Sequence, residues 1–145
     1  MPLRFVLDTT VVVAAFRSKY GASQQLLLAA VNGDFQLLLS VALILEYEAV
    51  LSRPEQLAFC GLTADDVGKA LDNIVAIAEP VWINNRWRPQ LPDPDDDMVL
   101  EVAVNGKADA IVTFNQNDFR GMESRFGCQA ILPGEALRRI RSSQS

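Results

Sequence analysis

Asp8, Glu46, Asp97 and Asp118 are carboxylates scattered along a chain that contains no His. Ser-His-Asp and Cys-His nucleophile systems are therefore impossible. Acid–base work near neutral pH falls to carboxylates, Lys, Cys or metal-activated water. The lack of His, with Cys60 and Cys128 outside any C-x-x-C spacing, nearly excludes zinc. The two thiols read as reduced and structural.

Each acid also has a local explanation. Asp8 follows an apolar run, and so do Thr113, Asn115 and Asp118; together they could build one site at the edge of a sheet. They could equally be turn and cap residues, the ordinary choices after a strand. Glu46 falls in an apolar helical stretch between Leu43 and Val50, where a carboxylate is costly without a partner such as a cation. Glu48 is placed almost alike between Ile44 and Leu51, and periodicity does not choose between them. In Asp93-Pro94-Asp95-Asp96-Asp97, Asp93 suits an N-cap and Pro94 the first helical position. Asp95 and Asp96 suit the positive helix N-terminus. Asp97 lies past the reach of that explanation, with Glu101 one turn further on the same face.

Short apolar runs must position these groups. Arg4 to Leu7 reads as a strand ending at Asp8, followed by a helix to Arg17 capped by Thr9 or Thr10. A helix over 22–31 ends at Asn32-Gly33, and 35–39 is a strand. Ser40 caps a helix over 41–51, stopped by Arg53-Pro54. Thr63-x-x-Asp66 is a capping box opening a helix to Ala78. An extended piece surrounds Val81-Trp82-Ile83, and 84–94 is a loop. A helix over 94–105, strands over 109–113 and 129–132, and a helix from Pro133 to Arg141 complete the chain. The strands are continuously apolar, which predicts an α/β fold: a three-layer α/β/α sandwich with a short, mainly parallel central sheet. Residues 1–141 fit a single domain, with 142–145 a frayed tail.

With 145 residues, half of them apolar, the chain can build one core without staples. No apolar run reaches the roughly 18 residues of a membrane span, and no basic-then-apolar leader precedes Asp8. The expectation is a cytoplasmic protein with no membrane partner. A net charge of −5 argues against a protein that simply coats nucleic acid, but not against a nuclease with a carboxylate cluster.

The motifs resemble those of the PIN-domain family over most of the chain. Val6-Leu7-Asp8-Thr9-Thr10-Val11 looks like the family's opening motif, and Ser40 followed by Glu46 like its second acidic motif. Asp97 and the strand at Thr113 look like its third. Ile111-Val112-Thr113-Phe114-Asn115-Gln116-Asn117-Asp118-Phe119 looks like its last segment. The nearest likeness is to bacterial toxin components of toxin–antitoxin pairs (VapC-like ribonucleases). The resemblance implies an endoribonuclease dependent on Mg²⁺ or Mn²⁺, with one or two ions. It implies Asp8, Glu46 and Asp97 as catalytic metal-site acids and a fourth position shared by Asn115 and Asp118. Thr9, Thr10, Thr113 and Glu101 would support them. It further implies an RNA substrate, a homodimer and a small antitoxin protein. Two departures stand out: Thr10 replaces the usual Asn or Ser, and Asn115 replaces a common acid.

The chemistry agrees, since Mg²⁺ takes oxygen ligands and needs few direct carboxylates. Arg17, Lys19, Arg120, Arg125 and Arg86-Trp87-Arg88 could meet the RNA backbone and bases, or be ordinary solvated surface. The alternatives are a non-catalytic PIN-like domain that binds RNA or protein, which Asn115 favours, and a phosphotransferase with Asp8 as nucleophile. The haloacid-dehalogenase type of the latter wants an Asp where Thr10 stands.

Overall fold

The apolar runs Phe5-Val6-Leu7, Leu37-Leu38-Leu39 and Ala110-Ile111-Val112 form the centre of a parallel sheet in the computed structural model, which describes residues 2–84, 94–121 and 125–144. The strands are β1 (Arg4–Leu7), β2 (Gln36–Leu39), β3 (Glu79–Pro80), β4 (Ala110–Val112) and β5 (Gln129–Ile131). Their order is β3-β2-β1-β4-β5, and every pairing is parallel. Successive strand side chains point to opposite faces. Phe5, Val6 and Leu7 are nonetheless all 0–1 % exposed, so both faces are covered. The helices supply the two outer layers, giving the three-layer α/β/α sandwich that continuous apolar strands predict.

Those helices are α1 (Thr9–Arg17), α2 (Ala22–Val31), α3 (Val41–Leu51), α4 (Pro54–Cys60), α5 (Ala64–Ile77), α6 (Pro94–Asn105) and α7 (Pro133–Ser143). Their ends follow local chemistry. Ser40 Oγ accepts the Leu43 amide at 3.1 Å, and the Thr63–Asp66 box closes in both directions. Gly33 takes φ 79° behind α2, a conformation that costs glycine little. At the end of α6, a Cβ on Gly106 would sit 2.9 Å from the Val102 carbonyl and 3.0 Å from Leu38 Cδ1. A side chain at this position would crowd the Val102 carbonyl, so glycine suits the end of α6.

Three elements differ from expectation. Pro54 does stop α3, but it also opens α4 at its first positions, a helix the sequence reading passed over. The extended piece pairs as Glu79–Pro80, upstream of 81–83, because Leu38 and Leu39 of β2 find their partners there. Helix α7 continues to Ser143, whose hydroxyl donates to the Ile140 carbonyl at 2.8 Å. The Asp93 cap and the Arg86-Trp87-Arg88 group lie outside the described residues. Among the described residues, no helix is long and apolar enough to cross a membrane.

The strand order carries the functional consequence. From β1 the chain steps one way to β2 and β3, then returns to the other side of β1 for β4. Between β1 and β4 the connections therefore diverge. Such a switch point leaves a crevice beyond the carboxyl ends of the strands.

Candidate active site

Asp8 sits at that switch point. Its amide donates to the Val112 carbonyl at 2.9 Å, continuing the β1–β4 ladder one residue past Leu7. The same residue is the N-cap of α1, its carbonyl accepting the Val11 and Val12 amides at 2.9 and 3.3 Å. Neither Thr9 nor Thr10 is the cap, and the Asp8 carboxylate makes no capping bond. Instead Asp8 Oδ2 accepts hydrogen bonds from Thr10 Oγ1 at 2.9 Å and Thr113 Oγ1 at 2.7 Å. Asp8 is 4 % exposed and Thr113 is fully buried. Thr113 Oγ1 also accepts the Asn115 amide at 2.9 Å. One hydroxyl thus ties the ends of β1 and β4 to the turn that follows β4.

Helix α3 brings Glu46 to the same place. Its neighbour Tyr47 is fully buried, and the phenol donates to the Leu7 carbonyl, immediately before Asp8. Burial, reinforced by the Asp8 charge, pushes the Tyr47 phenol well above its ordinary pKa, so it remains a donor. This contact fixes α3 against the carboxyl end of β1. Glu46 is half-buried and lines the cleft, whereas Glu48 is exposed. Of the two glutamates, Glu46 is the one that lines the cleft.

The cleft has a volume of about 350 Å³. Asp8, Thr9, Thr10, Glu46, Asn115 and Asp118 all line it, joined by Val13, Val50, Arg53 and Asp96. Asp97 does not; it is 1 % exposed, and Glu101 is 3 % exposed. The acid that α6 turns into the cleft is Asp96, 7 % exposed. In the sequence Asp96 reads only as an acid suited to the positive end of the helix. Arg53, read as a helix stop, was also missed.

Asn115 is the N-cap of a short 3-10 turn, Gln116–Phe119, and Asp118 lies within that turn with its amide bonded to the Asn115 carbonyl at 3.0 Å. Asp118 is therefore not the cap. Of the expected cations among the described residues, Arg17, Lys19, Arg120 and Arg125 do not line the cleft. Arg17 Nε donates to Gln56 Oε1 at 2.8 Å and its guanidinium covers the Phe59 ring at 4.5 Å. Arg120 bonds Asn117, and Arg125 stacks on Phe126. Cys60 and Cys128 are free thiols, as expected.

The donor set is all oxygen: carboxylates, threonine hydroxyls and the Asn115 amide. Among the described residues, no three or more His, Cys, Asp or Glu side chains form a group that could hold an ion between them. A hard cation kept largely hydrated, with one or two direct carboxylates, still fits such a cleft. Soft-metal chemistry does not.

No curated protein matches the sequence. A family model described as the PIN domain matches residues 4–117, from the first residue of β1 through the Thr113–Asn115 turn. With the parallel sheet and this acidic cleft at its switch point, that match shows that the chain belongs to the PIN-domain family.

Proposed function

We propose that this protein is a divalent-metal-dependent endoribonuclease acting in the cytoplasm, as the toxin of a toxin–antitoxin pair. Its PIN fold is of nuclease type, which supports a hydrolase in general terms. The observation that carries the reading is the cleft, where Asp8, Glu46 and Asp96 arrive from three separate elements at the carboxyl edge of the sheet.

In this reading Asp8 or Asp96 would meet a largely hydrated Mg²⁺ or Mn²⁺ directly, with Glu46, Asp118 and the Asn115 carbonyl reaching it through its waters. Asp97 and Glu101 stand behind them as buried support. The bound cation would activate water and neutralise phosphate charge in an in-line displacement. Thr10 and Thr113 keep Asp8 Oδ2 oriented, so that carboxylate meets the cation without first reorganising. Val13 and Val50 contribute apolar wall, limiting bulk water on that side. Leu28, Val31, Val41 and Leu45 are each about half exposed or more, and they support a homodimer as a further part of the proposal.

The test is cleavage of single-stranded RNA with Mn²⁺, with and without EDTA, beside Asp8→Asn, Asp96→Asn and a matched DNA strand. Metal-dependent cleavage of RNA, lost in both variants, is the expected result. Asn115 at the cleft favours a second reading, a PIN domain that binds RNA without cutting it. Binding by the wild type with no cleavage at any Mn²⁺ concentration would select that reading.

A further inference from the structure

Among the described residues that line the acidic cleft, one is basic, and it is Arg53. Its position follows from helix geometry. Glu46 and Val50 are one turn apart on α3, and Arg53 continues that face past the end of the helix, so all three line the cleft. The backbone there is pinned from both sides. The Arg53 amide donates to the Val50 carbonyl at 3.4 Å, and its own carbonyl accepts the Gln56 and Leu57 amides at 3.0 Å each. Pro54 opens α4 directly behind it.

Arg17 is committed to Gln56 and Phe59, Arg120 to Asn117, and Arg125 to Phe126. Arg53 is different. Asp8, Glu46, Asp96 and Asp118 line the same cleft, yet among the described residues the Arg53 guanidinium makes no ion pair or hydrogen bond. It is exposed. A cleft of carboxylates repels a phosphodiester strand wherever the metal does not neutralise it. A guanidinium held at the rim, with its fork of donors uncommitted, offers planar recognition of phosphate oxygens.

We infer that Arg53 is a substrate-binding residue of this cleft, engaging a backbone phosphate of a single RNA strand. The inference rests on the nuclease reading above and adds to it the group that receives the substrate's charge. Arg53 takes no part in holding the cation. Its removal therefore acts on strand binding and leaves the metal site its full set of acids.

The experiment compares wild type, Arg53→Gln and Arg53→Lys in Mn²⁺-dependent cleavage of a short fluorescein-labelled RNA strand over a range of KCl. Binding of the same strand by fluorescence anisotropy and Mn²⁺ half-saturation are measured alongside. Arg53→Gln should raise KM roughly tenfold, the weight of one hydrogen bond to a charged group, with kcat nearly unchanged. The slope of log affinity against log salt should fall by about 0.7, one phosphate contact on a single strand. Mn²⁺ half-saturation should stay the same or tighten, because a positive charge near the acids is gone. Arg53→Lys should restore the salt slope and recover part of KM. An Arg53→Gln protein with wild-type KM and salt slope overturns the inference and leaves the nuclease reading standing. So does one that loses kcat and melting temperature together, which is the mark of a structural role. A wild type that neither binds nor cleaves the strand overturns the nuclease reading, and this inference with it.

Discussion

Replacing Thr113 with Val keeps the shape of a fully buried side chain and removes one hydroxyl. That hydroxyl donates to Asp8 Oδ2 at 2.7 Å and accepts the Asn115 amide at 2.9 Å. A hydrogen bond to a charged acceptor contributes about 1.5–3 kcal/mol. Thr10 Oγ1 remains on the same oxygen at 2.9 Å, so Asp8 is not stranded. The Asn115 amide lies beside an exposed side chain and can turn to water. The expected loss for Thr113→Val is therefore about 2 kcal/mol, near the low end of the range. For a chain of this size that corresponds to a fall of roughly 4–8 °C in Tm. Differential scanning calorimetry in metal-free buffer measures it. Thr113→Ser separates the hydroxyl from the methyl, since it keeps the donor and loses about 0.8 kcal/mol of apolar burial. If orientation of Asp8 matters to cation binding, Val should raise the Mn²⁺ half-saturation while Ser leaves it close to wild type. Val melting within about 1 °C of wild type, or Ser and Val shifting Mn²⁺ response equally, would refute the reasoning.

Three other outcomes are expected. Asp118→Asn should retain wild-type stability, because Asp118 caps no helix, yet weaken Mn²⁺-dependent cleavage, and Asn115→Asp should recover part of the rate; wild-type cleavage across a metal titration would remove Asp118 from the site. At the amino end of the sheet Arg4 forms a two-pronged pair with Glu79, and its hydrogen bonds hold the Glu79 carboxyl below the ordinary carboxylate range. The stabilisation is therefore present above the ordinary pKa and is lost as pH falls through the lowered one, so Glu79→Gln should cost about 0.5–1 kcal/mol at pH 7 and nothing in strong acid. Burial, with Asp109 adding to it, pushes the Cys128 thiol to about 11, so iodoacetamide at pH 8 should label Cys60 first and reach Cys128 only on unfolding.

Local chemistry was legible in the sequence, and direction was not. The Ser40 cap and the Thr63–Asp66 box are written in adjacent residues, and both form as read. The strands at Phe5, Leu37 and Ile111 are visible because a strand buried on both faces has no polar alternation to obscure it. β3 was displaced because its register is fixed by β2, a partner far away in sequence. Asp96 and Asp97 are neighbours in the chain but point about 100° apart around α6. Which of them meets Asp8 depends on how that helix docks, which no local rule contains. Asp96 was also hidden by a sufficient local reason, its place in the first turn of a helix. Arg53 was hidden similarly, behind the proline that follows it. Thr113 was legible as a polar residue after a strand, but its bond to Asp8 required the β1–β4 pairing.

Under the proposed function a divalent cation binds in the cleft that Asp8, Glu46 and Asp96 line. Crystals grown or soaked with Mn²⁺ and measured for anomalous scattering test it most directly, because the metal reports its own position. The expected result is a peak in the cleft beyond the carboxyl ends of β1 and β4, with an Asp8 or Asp96 oxygen at about 2.2 Å and the other acids reached through water. The peak should vanish in Asp8→Asn crystals. A strong Mn²⁺ peak elsewhere on the protein, with none beside Asp8 at millimolar metal, would contradict it.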